Sequence, residues 1–311
     1  MQTPRWCEEG IILILAASVM LTGGTPEKYG GGTGSRSNPY KIATVYDLLV
    51  MAADTNDYGA HFILTSDIDL GSNVPGGQVF NTAVIARDIN NSGCDFDGIA
   101  FTGVFDGAGH KIANLTISTY GVGNDYLGLF GCISRGKVKN LRLENIRIKG
   151  GVSSYYVGGL AGCNSRSDID NCSSTGTVAC GNNSDSVGGL LGDNCYGSVI
   201  KSCSTCDVRS GAYSSNLGGL AGANAGIIKE CRSEGIVTGG NTSIWLGGLV
   251  GSNSGTIRNC SSKGAVTGGV YSYNLGGLVG ENSNGTVINC HSTTLVEAMV
   301  LDTRRSVACS T

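Results

Sequence analysis

The chain has 311 residues, of which 51 are glycine and 4 are proline, and its formal net charge at pH 7 is -3. A weakly acidic chain without a clustered basic face excludes nucleic acid as an expected partner. Since 41 % of the residues are hydrophobic and only 14 % are charged, the composition also excludes general disorder and favours short buried strands joined by tight turns.

The N-terminal segment predicts export. An apolar run at residues 11–21 is too short to span a bilayer as a helix. Small residues follow at 22–24, so we interpret residues 1–24 as a secretory signal peptide. Glu8 and Glu9 depart from the basic leader of such signals, and a mis-assigned start or a membrane-tethered leader is the alternative. We expect no membrane insertion after signal removal and a secreted or cell-surface location.

The first ordered element is predicted as an amphipathic helix over about residues 44–54. Thr44 suits the N-cap, Asp47 follows three residues later, and apolar residues recur on one helical face. Terminal units of solenoids need an atypical cap, so we expect this helix to cover the end of the core. We assign residues 25–120 to the cap and the first irregular coils.

Two further segments of this region have the pattern of strands. Residues 61–70 predict one strand. Residues 101–117 predict a pair of strands around a tight turn at Asp106-Gly107. The inward residues of this pair are predicted to be Phe105, Ile112, Leu115 and Ile117.

The segment Val157-Gly-Gly-Leu-Ala-Gly162, followed by Asn164, recurs through the rest of the chain at a nearly constant spacing. Its central leucines are Leu160, Leu190, Leu220, Leu249 and Leu278. A fixed period of about 30 residues is typical of a solenoid. A degenerate first copy occupies residues 127–149, with Leu127 in place of a glycine and Ile133 in place of the asparagine. We assign residues 121–297 to the repeats and 298–311 to a C-terminal tail.

The repeat predicts the fold class. Each period holds three short apolar runs, so we expect three strands and three turns per period. The prediction is an all-β, right-handed parallel β-helix (solenoid) with about 30 residues per coil and a short N-terminal capping helix.

Coils stacked about 4.8 Å apart place equivalent residues in contact, which predicts ladders. The leucine ladder is given above. The cysteine ladder is Leu141, Cys172, Cys203, Cys231, Cys260 and Cys290; the asparagine ladder is Asn164, Asn194, Asn224, Asn253 and Asn282; the valine ladder is Val178, Val208, Val237, Val266 and Val296. We expect the asparagines to lie at a turn in a left-handed conformation.

Of the thirteen cysteines, the five of the cysteine ladder are interpreted as buried free thiols. Stacked equivalents hold their Cβ atoms about 4.8 Å apart, beyond the roughly 3.5–4.5 Å of a disulfide. Cys203 and Cys206 form a CxxC pair, but no second pair lies at zinc spacing, so we predict no metal site. Cys163, Cys180 and Cys195 lie near predicted turns, where a local bridge stays open.

Catalysis has one candidate set, namely Asp95, Asp97, Asp106 and His110 as general acids and bases. Asp106 also suits a turn, and Asp67 and Asp69 suit a strand end. The repeats carry no recurring carboxylate or histidine face, and the remaining histidines, His61 and His291, are far from His110 in sequence. We therefore assign no catalytic, cofactor-binding or metal-binding residue, expect no cofactor, and leave enzymatic activity open.

The repeat resembles the GLUG motif, named after its Gly-Leu-Val/Ala-Gly core, in five good copies and one degraded copy. The front part, Gly30-Gly-Gly-Thr-Gly-Ser to Leu115-Thr-Ile117, looks like the region that precedes such repeats in large bacterial surface proteins. The resemblance covers residues 29–297. The family is similar to adhesin-like regions and also occurs beside a peptidase module in immunoglobulin-cleaving proteases, but the His-Glu-x-x-His of that peptidase is absent from this sequence.

The resemblance implies an exported, surface-associated structural or binding module. Our leading hypothesis is an adhesin-like scaffold that contacts an unknown surface glycan or protein within a larger assembly. Aromatic residues are common binding anchors, and those just before the glycine pairs are the candidates: Tyr155, Tyr156, Tyr213, Trp245, Tyr271 and Tyr273. Packing of these aromatics against the next coil is an equal alternative. The alternative function is a β-helix polysaccharide lyase or glycoside hydrolase.

Overall fold

The computed structural model describes residues 27–73, 75–90 and 95–299. The predicted signal peptide and almost all of the predicted tail lie outside these residues. The described chain coils into an all-β parallel solenoid of about six turns with about 30 residues per turn. Four sheets, named A to D here, run along the stack, and each regular coil passes through them in the order D, C, A, B.

Sheets A and B continue into the N-terminal coils. In the described residues, sheet A contains the nine strands Tyr40–Ile42, His61–Leu64, Val104–Asp106, Lys137–Lys139, Asp168–Asp170, Ser198–Ile200, Ile227–Lys229, Thr256–Arg258 and Thr286–Ile288. Sheet B contains Ile68–Asp69, Val79–Phe80, Lys111–Ala113, Thr116–Ser118, Arg142–Lys149, Ser173–Ala179, Cys203–Ser204, Asp207–Ser210, Arg232–Ser233, Ile236–Gly239, Ser261–Ser262, Ala265–Gly268, His291–Ser292 and Leu295–Ala298.

Sheets C and D belong to the repeats. Sheet C contains Phe130–Ser134, Ala161–Ser165, Leu191–Cys195, Ala221–Asn224, Val250–Asn253 and Val279–Asn282. Sheet D contains Tyr155–Val157, Asp185–Gly188, Ser215–Gly218, Ile244–Gly247 and Tyr273–Gly276.

The predicted capping helix is confirmed as Val45–Ala53, followed by a 3-10 turn at Thr55–Asp57. Thr44 is its N-cap and accepts a hydrogen bond from the amide of Asp47, while the Asp47 carboxylate accepts one from the amide of Thr44. This capping box satisfies amides that the first turn leaves unpaired. The helix buries Leu48 and Met51 in the same core cluster as the first strands.

The prediction of three strands per coil was wrong, because the glycine pair is itself a corner. In the first regular coil Tyr155–Val157 belongs to sheet D, and Ala161–Ser165 belongs to sheet C. The same applies to Asp106-Gly107. Val104–Asp106 lies in sheet A and Lys111–Ala113 in sheet B, so these two strands do not pair with each other. All four residues predicted to point inward from this segment are nevertheless fully buried.

The degenerate coil is one residue shorter at the D–C corner. Leu127 pairs with Val157, and Phe130 pairs with Ala161. The difference in residue number between partners is therefore larger by one after this corner than before it. Leu127 therefore replaces Val157, and the prediction that it replaces a glycine was wrong. Ile133 pairs with Asn164 and occupies the asparagine position as predicted.

The glycines of the repeat are required by close contact of backbones. A Cβ on Gly218 would lie 1.9 Å from the carbonyl oxygen of Ala221, and one on Gly219 would lie 2.3 Å from that of Gly248 in the next coil. A Cβ on Gly222 would lie 2.4 Å from the backbone of Ser186 in the preceding coil. None of these three has the positive φ that favours glycine. Each glycine thus makes room for a neighbouring strand.

Leucine and valine ladders fill the core as predicted, except in the last coil, where Leu278 is partly buried and Val296 is 40 % exposed. Val178, Val208, Val237, Val266 and Val296 pair in register in sheet B, and the first four ladder leucines are fully buried. Each fully buried side chain of this kind contributes about 1.5–3 kcal/mol.

Coil length varies at the corner between sheets C and A. Two residues, Ala225 and Gly226, separate Asn224 from sheet A, whereas the coil before has three, including Tyr196. Tyr196 has a left-handed backbone with φ of 56°. The register on either side is unchanged, because Asn194 still pairs with Asn224 and Ser198 with Ile227.

The asparagine ladder is continuous through the repeats. Each Nδ2 donates to Oδ1 of the asparagine in the next coil at 2.7 Å, from Asn164 to Asn282. These asparagines lie in strands of sheet C and do not have positive φ, so the left-handed prediction was wrong for them. Left-handed asparagines lie instead at the corner between sheets A and B, for example Asn171 and Asn259.

The cysteine ladder differs from the prediction at one residue. Cys203 pairs with Ser173 and faces outward, and Ser202 occupies the ladder between Cys172 and Cys231. Cys172 and Cys231 donate to the carbonyl two residues earlier, and Ser202 makes the same bond to Ile200 at 2.8 Å. In the regular coils the ladder therefore carries small hydrogen-bond donors, whereas the degenerate coil has the apolar Leu141 at this position. Cysteines in the described residues are free thiols, including those for which a local bridge stayed open.

Candidate binding surface

The acids considered for catalysis are held in separate contacts. Asp106 is 2.8 Å from Lys139 Nζ and accepts hydrogen bonds from Asn140 Nδ2 and the amide of Ala108. Asp97 accepts a hydrogen bond from Asn90, and its amide donates to Asp88. Asp95 is exposed. Within the described residues, the structure thus gives these acids different partners and no shared site.

Asp67 and Asp69 also have structural partners. Asp67 lies 3.1 Å from Nδ1 of His110 and accepts a hydrogen bond from the amide of Lys111. Asp69 accepts a hydrogen bond from Asn114. The side-chain oxygen of Asn114 in turn accepts one from Asn145, so Asp69 ends an outward chain of hydrogen-bonded amide side chains. Hydrogen bonds from Asn114 and the amide of Gly71 lower the pKa of Asp69 and keep it ionised.

The candidate aromatics occupy three positions on one edge of the solenoid. Tyr155 and Tyr273 share a register in sheet D, and Tyr156 and Trp245 share the next position, which has a left-handed backbone. Tyr213 and Tyr271 occupy the preceding turn, also with positive φ. The prediction that they recur just before the glycine pair thus combined three different positions.

Four of these aromatics lie on three consecutive coils, and we call them the aromatic edge: Tyr213, Trp245, Tyr271 and Tyr273. Tyr213, Tyr271 and Tyr273 have 64 %, 71 % and 55 % of their surface exposed, and Trp245 is half-buried. These side chains lie on consecutive coils along the stack, at three different positions of the coil. Tyr155 and Tyr156 lie two coils away, and Tyr156 stacks on Tyr126 with ring centroids 4.9 Å apart.

Beside the aromatic edge, outward residues of sheets D and C face each other across the corner, and we call these two rows the corner surface. The row from sheet D and the turn before it is Tyr126, Tyr156, Ser186, Asn216, Trp245 and Asn274; the row from sheet C is Cys132, Cys163, Asp193, Ala223, Ser252 and Glu281. Asn274 bridges the rows by donating to Glu281 at 3.2 Å.

Asp193 belongs to the sheet C row of this surface, and Asp185 and Asp125 directly precede Ser186 and Tyr126 of the other row. Asp185 accepts hydrogen bonds from Ser186, from Ser215, and from Asn216 on the next coil. Burial, and secondarily the charge of Asp185, raises the pKa of Asp193 to about 6. Burial also raises the pKa of Asp125 to about 6. The surface thus combines carboxylates of raised pKa with aromatic rings.

Sequence reasoning missed Asp185, Asp193 and the Cys132–Cys163 pair. The repeat emphasises positions that keep one residue type, whereas the corner surface has a different residue in almost every coil. Comparing the residue that directly precedes Val157 with the residues that precede its equivalents, such as Leu217, would have found the row from sheet D. This position has a left-handed backbone.

The family model for the GLUG motif matches residues 153–179, 246–267 and 271–294. These coils carry the GLUG motif. In the structure, each motif is the D–C corner together with the strands that follow it. The close backbone contacts of its three glycines explain why glycine returns at those positions in each regular coil.

Two curated relatives match about half of the chain. Halomucin from Haloquadratum walsbyi is 33 % identical over 157 residues, which is 49 % of this chain and 2 % of halomucin. A "Putative Gly-rich membrane protein" from Evansella cellulosilytica is 34 % identical over 150 residues, which is 47 % of this chain and 15 % of that protein. The match therefore spans a small part of either relative's length.

A solved structure has the same fold. The crystal structure of a "putative immunoglobulin A1 protease" from Bacteroides ovatus superposes with a TM-score of 0.59 and 20 % identity, covering 88 % of this chain and 86 % of that one. At this identity the likeness shows the solenoid fold alone. Within the described part of the chain, no helix has the length and apolar character needed to cross a bilayer.

Proposed function

We propose that this chain is a secreted or cell-surface, adhesin-like scaffold that binds surface glycans through its aromatic edge. The observation that carries the proposal is the row of Tyr213, Trp245, Tyr271 and Tyr273 on three consecutive coils. Large aromatic side chains exposed on consecutive coils of a rigid frame are typical of binding surfaces.

The surrounding chemistry supports a sugar ligand. Ser215 and Asn216 lie on the coil of Tyr213, and Asp185 lies on the coil before it, so carboxylate, hydroxyl and amide groups are found near the N-terminal end of the aromatic edge. Hydroxyl-rich ligands need both an apolar face to stack on and polar groups to exchange hydrogen bonds with. Because the frame is a stack of hydrogen-bonded coils, these groups need little ordering on binding.

A surface location is supported by the names of the two relatives, halomucin and a Gly-rich membrane protein. The predicted signal peptide agrees with it. The alternative of a polysaccharide lyase or hydrolase loses support, because Asp95, Asp97, Asp106 and His110 do not form one site in the described structure.

The test is binding of the purified full chain to a glycan array. We expect a set of glycans to bind, with at least about a tenfold loss of affinity in Tyr271→Ala and Tyr273→Ala, since aromatic anchors often contribute more than about 1.4 kcal/mol. Tyr120→Ala is the matched control, because Tyr120 is 79 % exposed and lies before the repeats. Absence of glycan binding, or equal loss in the control, would refute the proposal. Turnover of a bound glycan would restore the enzyme alternative.

A further inference from the structure

Two cysteines lie side by side at the N-terminal end of the corner surface. Cys132 and Cys163 pair directly on neighbouring parallel strands of sheet C, so their side chains extend to the same face. Cysteines of the interior ladder, such as Cys172, are buried in the core and donate to backbone carbonyls.

The thiol pair is enclosed on one side and open on the other. The stacked rings of Tyr126 and Tyr156 form the opposite row of the corner surface, and Phe96 packs edge-on against Tyr126 with centroids 5.2 Å apart. Cys132 is only 6 % exposed, while Cys163 is partly exposed. A small ion would reach the sulfurs from the Cys163 side and lose most of its contact with water.

The spacing of the strands favours an ion between the sulfurs over a bond between them. Parallel side chains on adjacent strands are about 4.8 Å apart at their base. A disulfide needs sulfurs about 2.05 Å apart and Cβ atoms closer than this spacing. Two metal–thiolate bonds of roughly 2.3 Å in line span about 4.6 Å, which matches the strand spacing with little movement.

We propose that Cys132 and Cys163 form a two-coordinate site for a soft monovalent cation of the Cu(I) or Ag(I) class. Binding exchanges two S–H bonds for two metal–sulfur bonds and releases two protons to solvent, with no change of oxidation state. Soft thiolate ligands select ions of this class over hard cations such as Mg²⁺ or Ca²⁺. No group of three or more His, Cys, Asp or Glu side chains that could hold a metal is found in the described residues, which disfavours tetrahedral zinc.

The sequence predicts no metal site because the two ligands are separated by a full coil of the solenoid. Their pairing depends on the register between the degenerate coil and the first regular coil. The site is independent of the aromatic edge, so failure of glycan binding would leave it untouched.

The experiment is titration of the full chain with Ag(I), which is stable in water and needs no reductant. After stoichiometric Ag(I), thiols are alkylated with iodoacetamide and mapped by mass spectrometry. We expect Cys132 and Cys163 to be protected together, while the outward Cys203 stays reactive.

Variants separate this site from other thiols. Cys132→Ser and Cys163→Ser should each lower the Ag(I) stoichiometry by one equivalent, whereas Cys203→Ser and Cys290→Ser should keep the protection of Cys132 and Cys163. Circular dichroism checks that the variants fold, and if Cys132→Ser does not fold, Cys163→Ser alone decides. The proposal is overturned if Cys163→Ser binds as much Ag(I) as the wild type or if only one of the two sulfurs is protected. It is also overturned if mild oxidation forms a Cys132–Cys163 disulfide.

Discussion

Asn194 donates a hydrogen bond from Nδ2 to Oδ1 of Asn224 at 2.7 Å, and both side chains are buried. Each amide also donates to a carbonyl of its own coil, as Asn194 does to Gly197. The ladder therefore ties neighbouring coils together and also fixes the turn that leaves sheet C. Buried amides satisfied in this way are costly to remove one at a time.

Asn224→Ala should destabilise the solenoid by about 1–3 kcal/mol, because it leaves Oδ1 of Asn253 without its donor in a buried place. Asn282→Ala is the control, since Asn282 ends the ladder and is exposed. Thermal unfolding followed by circular dichroism should show a clearly larger drop in Tm for the first variant. Equal drops would mean that the ladder adds nothing beyond local turn bonds.

Gly218→Ala should destabilise by about 3 kcal/mol or more, because the new methyl would overlap the carbonyl oxygen of Ala221 and no flexible side chain can yield. Gly59→Ala tests whether any added methyl does the same. Around Gly59 the nearest atom to a new Cβ is Thr102 Oγ1 at 3.5 Å, so stability should stay within about 0.5 kcal/mol. Denaturant unfolding of both variants checks the difference. A Gly218→Ala protein as stable as wild type would contradict the close-approach explanation.

Cys231→Ser should change stability by less than about 1 kcal/mol, because Ser202 already shows that a hydroxyl makes the same bond. Cys231→Val should cost more, since it leaves the carbonyl of Lys229 without its side-chain donor. The midpoints of urea unfolding of the two variants show whether this position requires a hydrogen-bond donor or only an apolar side chain. If valine is the better tolerated replacement, the hydrogen bond is unimportant.

The stability of the fold should fall as pH rises through about 6. The pKa of Asp193 and of Asp125 is raised from 3.8 to about 6 in the folded chain. The folded state therefore holds these protons more tightly than the unfolded state, and the stabilisation is present below about pH 4 and lost above about pH 6. Asp193→Asn should reduce the loss of unfolding free energy between about pH 4 and 7 by about 1–2 kcal/mol, as measured by denaturant unfolding at each pH. Asp168→Asn, at an exposed carboxylate, should leave it unchanged.

Positions that repeat one residue type could be predicted from the sequence. Leu160 and Val178 head ladders that the structure reproduces residue by residue, and the capping box at Thr44 was also readable. Cys203 was misplaced because Ser202 holds the ladder position in that coil and the cysteine follows one residue later; only pairing with Ser173 settles the face. In a strand such a shift exchanges inside for outside.

The candidate site was less predictable for a physical reason. Core ladders are constrained by packing, which selects the same residue in every coil, whereas outward positions are free to differ. Asp185 and Asp193 therefore carry no repeat signal, and their proximity depends on the D–C corner, which has the sequence pattern of one continuous strand.

At the corner between sheets C and A, the number of residues can change without changing the register between neighbouring coils. Asn194 and Ser198 keep their partners in the next coil whether the turn holds two residues or three. Foreign peptides inserted beside Tyr196 should consequently be displayed without loosening the stack. Coils of this type are suited to carrying interchangeable loops on an unchanged frame, so diversity along such a protein need not reduce its stability.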